Sequence, residues 1–130
     1  MAMRLRHATV AMLAATSLSA CAIAGGPLDA ATLTELYIAD FSSTDPAGCT
    51  TADVDLSNAQ ARAFFMRARQ LDARALAEHY PLAPCRIEGT LKRNGAPCEF
   101  EISAAMTGSI RCDTGRWFFA CDDCDDLFGR

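Results

Sequence analysis

Between Cys85 and Cys112 the chain alternates apolar and polar residues about the dipeptide Asn94-Gly95, and this pattern constrains the fold more than any other feature. Asn-Gly favours a two-residue type I′ hairpin turn, because both central residues must take positive φ. That turn sets Leu91 opposite Cys98, Gly89 opposite Phe100 and Ile87 opposite Ile102, all on one face with Cys85. A second turn centred on Ala105 faces Phe100 with Ile110 and Cys98 with Cys112 on that same side. A third connection at Asp113-Thr114-Gly115 leads into Trp117-Phe118-Phe119, where a one-residue choice decides which aromatic points inward. Leu33 to Phe41 alternates imperfectly and suits a further strand.

Upstream, Ser57 and Gln60 form an S-x-x-Q capping box that satisfies two backbone donors at the start of a helix. The helix is expected from Asn58 to about Gln70, with Ala61, Phe64, Phe65 and Ala68 as its buried stripe. Asp72 then caps a shorter helix with Arg74 and Glu78 at i and i+4, stopped by Pro81 and Pro84. Ser42 to Gly48 reads as a loop. These elements predict one α+β domain over residues 32–130, a three- to four-stranded antiparallel meander packed on one or two helices. At 130 residues the chain has room for one core.

The N-terminus carries an address. Arg4, Arg6 and His7 form a basic start, and Ala8 to Leu18 an apolar run too short for a permanent bilayer span. Leu18-Ser19-Ala20-Cys21 follows, and it resembles the lipobox of bacterial lipoproteins. That resemblance implies cleavage of residues 1–20, acylation of Cys21, and a linker over 21–31. Two or three acyl chains anchor a protein lastingly where one does not. Ala22, rather than Asp, after the cysteine implies transport to the outer membrane, with the domain facing the periplasm. The remaining 110 residues carry 10 basic and 16 acidic groups, the wrong sign for a nucleic-acid binder.

An even set of cysteines beyond the anchor reads as a disulfide framework in an exported domain. They are Cys49, Cys85, Cys98, Cys112, Cys121 and Cys124. The hairpin register makes Cys98 with Cys112 the best single pair; the rest of the connectivity stays open, with Cys49 and Cys85 meeting Cys121 and Cys124 as one arrangement. Cys121-Asp122-Asp123-Cys124 has C-x-x-C spacing, but its aspartates disfavour the stabilised thiolate that redox chemistry needs. Four zinc ligands are not spelled out either, so no metal is assigned.

Glu88 falls directly opposite Glu101 on the polar face, with Cβ atoms about 5 Å apart. Such a pair can share a proton as an acid/base device. In the plainer reading Arg86, diagonal to Glu101, and Arg111, opposite Glu99, complete a solvated charge ladder. His79 stands at a helix end without a nucleophile context, and Thr107-Gly108 and Thr114-Gly115 are isolated turns rather than phosphate loops. No catalytic residue and no cofactor are assigned. Glu88, Glu99 and Glu101, with Asp122, Asp123, Asp125 and Asp126 at the acidic C-terminus, are instead candidates for binding a protein partner. In architecture the chain resembles the immunity and inhibitor lipoproteins of bacterial envelopes, which implies neutralisation of a toxin or hydrolase by blocking its active site. The alternative is an accessory lipoprotein of an envelope assembly or secretion apparatus.

Overall fold

A computed structural model describes residues 26–130, so the expected signal peptide and Cys21 lie outside the described residues. Six strands and two helices follow in order: β1 (Leu33–Ser43), α1 (Asn58–Arg67), β2 (Arg69–Leu71), α2 (Ala73–His79), β3 (Cys85–Arg93), β4 (Ala96–Ser103), β5 (Thr107–Cys112) and β6 (Gly115–Ala120). They form an α+β fold whose single antiparallel sheet has the order β1-β3-β4-β5-β6-β2. Among the described residues no helix is long and apolar enough to cross a membrane.

The central meander has the expected register. Leu91 pairs with Cys98, Gly89 with Phe100 and Ile87 with Ile102, while Cys98 meets Cys112 and Phe100 meets Ile110. Asn94 and Gly95 both have positive φ, as the tight turn requires. Ile110 pairs with Trp117, so Trp117 and Phe119 point inward and Phe118 outward.

The sheet is larger than the three or four strands expected. Leu33–Ser43 is a full edge strand on β3, and Arg69–Leu71 leaves the helix to pair with β6. The helix stops at Arg67, short of Gln70, because Ala68 turns extended. Beyond it the open edge of β6 offers a ladder that the last helical turn lacks. At the other edge β1 is bulged twice, between Thr34 and Tyr37 and between Ile38 and Asp40. Backbone groups near these bulges are taken by α1: Ile38 N–H donates to Asn58 Oδ1 and Leu33 C=O accepts from Arg62. This protection disfavours pairing with a strand of another chain.

One face of the sheet holds the core. The Ser57–Gln60 box starts α1 as expected, and Ala61, Phe64 and Phe65 are buried against the sheet. Gly89 permits a close crossing of β1. A Cβ there would lie 2.1 Å from the Tyr37 carbonyl oxygen and 2.7 Å from the Phe100 ring. Gly89→Ala should therefore destabilise the domain by about 1–3 kcal/mol. A denaturant midpoint equal to that of the parent would show that β1 can yield.

Cys98–Cys112 joins β4 to β5 as the register implied. The other pairing differs from expectation: Cys49 bonds Cys85, and Cys121 bonds Cys124. Cys85 begins β3 beside Ser43, whose hydroxyl donates to the carbonyl of Cys49. Cys121 follows β6, three strands from β3, which is about 14 Å at the usual strand spacing and beyond the span of a disulfide.

Residues 26–31, within the span expected as linker, make contacts with the domain. Leu28 is only 3% exposed, and Asp29 caps a short 3-10 turn at Ala30–Thr32. The folded body already includes Gly26, whose carbonyl accepts from the Trp117 indole.

Candidate binding surface

Period-two alternation that buries one side of the sheet sends Arg86, Glu88, Glu99, Glu101, Arg111 and Arg116 to the other. No helix among the described residues covers the middle of that face, and α2 borders it near β6. A groove of about 480 Å³ runs across it from Asp40 on β1 to Arg116 on β6. The structure brings together all three glutamates read from the sequence.

Glu88 and Glu101 are paired across β3 and β4. Arg86 stands between them, its Nε 2.7 Å from Glu88 and 2.9 Å from Glu101, which offsets their repulsion. Arg116 approaches Glu101 from β6 at 3.1 Å, and the Ser109 hydroxyl donates to the same carboxylate at 3.2 Å. Each oxygen of Glu101 thus has a donor. Arg111 pairs with Glu99, which raises the guanidinium pKa above its ordinary value.

Arg116 and Ser109 were not singled out from the sequence. Ser109 was already sent to this face by the inward Ile110 beside it, and Arg116 and Phe118 face out once Trp117 is placed inward. Ser109 is buried to 6% exposure and satisfied by its glutamate. The Arg116 guanidinium lies 5.0 Å from the centre of the Phe118 ring. A second, smaller hollow of about 240 Å³ opens there, between Leu76 of α2, Phe118 and the 81–84 loop. Leu82 stands at its rim, 98% exposed between two prolines.

None of the four C-terminal aspartates lines this groove. Asp126 pairs with Arg67 and Asp122 with Arg69, and the Asp123 carbonyl accepts from Arg67. The Asp125 carbonyl accepts from the backbone of Phe128 and Arg130. Two of the four aspartate side chains are therefore matched by arginines of the same chain. The Tyr80 hydroxyl donates to Asp122 at 2.7 Å, and this bond, reinforced by Arg69, holds the Asp122 carboxyl below its usual value. Arg67 does the same for Asp126.

Groups depressed on folding stabilise above the unfolded carboxylate range and lose that contribution as pH falls below about 4. Solvent screening keeps the effect small. An Asp122→Asn, Asp126→Asn variant should melt slightly below the parent at neutral pH and coincide with it near about pH 2. A gap that stays constant across the titration would contradict this linkage.

Cys121, Asp123 and Cys124 gather closely enough to share a metal ion, as do Cys49, Asp53 and Cys85. In each group the two sulfurs are joined to one another, so neither presents the thiolate that such a site uses. His79 closes the last turn of α2, where its charged form would suit the helix dipole. No protein-family model, curated protein or solved structure matches the chain.

Proposed function

We propose that this chain is a binding lipoprotein of the bacterial envelope, anchored through Cys21 to the outer membrane, which neutralises a toxin or hydrolase by covering its active site. The observation that carries the binding reading is the uncovered sheet face, where fixed and mutually paired charges line a groove on a rigid support. Preorganised surfaces bind with less ordering cost than flexible ones. The carboxylates of Glu88 and Glu101 already have donors on this face, an arrangement that suits recognition better than proton transfer. Three disulfides suit an oxidising compartment.

The test is affinity capture with the oxidised domain, Ala22 to Arg130, from envelope and secreted fractions, beside the same domain carrying Glu99→Arg and Arg111→Glu. Both of these side chains are exposed, so the exchange should leave the fold intact. A single hydrolase or toxin retained by the parent, inhibited by it in assay and released by the exchange would support neutralisation. Recovery of envelope-apparatus subunits alone would replace this reading with that of an accessory lipoprotein.

A further inference from the structure

We infer that the turn after β6 becomes a zinc site when its disulfide is reduced, with Cys121, Asp123 and Cys124 as ligands and water in the fourth position. The ligand atoms of these three residues lie within 4.8 Å of one another, and Asp123 Oδ1 is 3.3 Å from Cys121 Sγ. Two intervening residues is also a spacing at which paired cysteines chelate zinc. Zinc–sulfur bonds of about 2.3 Å in tetrahedral geometry set two sulfurs about 3.8 Å apart. Side-chain rotation can supply that separation from Cα atoms 5.6 Å apart.

Bonds other than the disulfide also hold this turn. The Cys121 N–H donates to the Met106 carbonyl at 3.0 Å, the Cys124 carbonyl accepts from Leu127 at 2.9 Å, and the Asp123 carbonyl accepts from Arg67. Arg69 and Arg67 take the carboxylates of Asp122 and Asp126. The Asp123 side chain, on an exposed residue, has no ion pair among the described residues. Two thiols three residues apart on a fastened turn therefore stay within reach of one ion. The group at Cys49, Asp53 and Cys85 differs on both counts. Its cysteines are 36 residues apart and can separate when their bond opens, and the Asp53 carboxylate already accepts from the Thr50 N–H at 2.7 Å.

The change of state needs a dithiol reductant. Its thiolate attacks the Cys121 sulfur and the Cys124 thiolate leaves; the reductant's second thiol then displaces Cys121 and closes its own disulfide. Two electrons and two protons thus pass to the pair. Both cysteines are buried, so the exchange proceeds through transient opening of the turn. Zinc then replaces the two thiol protons, which go to solvent. The surrounding aspartates disfavour a free thiolate but attract a dication, so the reduced turn is better suited to holding the metal than to exchanging disulfides.

The full chain carrying Cys21→Ser keeps only the six disulfide cysteines. It is reduced with a phosphine under native conditions, while Trp117 fluorescence reports folding and alkylation with mass spectrometry reports which pairs are open. Cobalt(II) is added as the probe. About one equivalent should bind per folded chain with a thiolate-to-cobalt charge-transfer band, and zinc should displace it. The band should be lost when Cys121→Ser and Cys124→Ser are added and kept when Cys98→Ser and Cys112→Ser are added instead. Asp123→Asn should weaken cobalt binding at least about tenfold. A band that survives replacement of Cys121 and Cys124, or parental affinity in Asp123→Asn, overturns the inference. So does the absence of a band once the pair is open, or a pair that opens only as the domain unfolds.

Discussion

Phe65→Ala is expected to cost about 3–5 kcal/mol, a large part of the stability available to a domain of this size. The ring is 1% exposed and meets three others edge to face, with centroids 5.3 Å from Phe64, 5.7 Å from Phe100 and 5.1 Å from Phe119. Those contacts join α1 to β4 and β6 at once, so truncation leaves a cavity that no single neighbour can fill. Unfolding in urea, followed by the fluorescence of Trp117, the only tryptophan, reads the loss directly. Phe65→Leu keeps most of the volume and should cost clearly less. Met66→Ala, one residue on and exposed, should stay within about 0.5 kcal/mol of the parent. Equal shifts at positions 65 and 66 would contradict this account of the core.

Phe65 belongs to the part of the fold that was legible in the chain. A capping box and an i, i+3, i+4 stripe are local signals, as is an Asn-Gly turn with alternating flanks, and each constrains residues close in sequence. The opposition of Glu88 and Glu101 followed from the same turn, and the structure keeps it. What escaped the reading depends on contacts between distant segments. Arg69–Leu71 has no strand signal of its own and becomes one because β6 offers an edge, some fifty residues later. The arginines that match the C-terminal aspartates sit 53 and 59 residues before them, so the tail looks like a free acidic end until the fold closes. The cysteines beyond the hairpin were ambiguous for the same reason, since their partners depend on strand order. Ser109 follows from period two beside the inward Ile110, whereas Arg116 is an intermediate case that follows once Trp117 is placed, and burial of its ring places it.

Strand order also ranks the three disulfides by their effect on stability. Cys49–Cys85 closes a segment of 36 residues, Cys98–Cys112 one of 14 and Cys121–Cys124 one of 3. If a crosslink acts mainly by restricting the unfolded chain, these separations correspond to about 4, 3 and 1.6 kcal/mol. Replacing Cys49 and Cys85 together by Ser should thus be the most damaging of the three double replacements. That bond ties the far end of the loop after β1 to the start of β3, where β1 and β3 finish pairing at Ser43 and Cys85 and only Thr44, among the described residues, adds hydrogen bonds, to the Pro84 carbonyl. Cys98–Cys112 crosses two strands that are already hydrogen-bonded and packed on Ile110 and Phe100, so the native ladder retains much of what the bond holds. Cys121–Cys124 closes one turn beside a tail that Arg67 and Arg69 also fasten. Denaturant midpoints of the three Ser-Ser variants, measured under oxidising conditions, should fall in that order. A larger loss from the Cys121–Cys124 variant than from the Cys49–Cys85 variant would show that native-state packing around the C-terminal turn, rather than the entropy of the unfolded chain, governs how these bonds stabilise the domain.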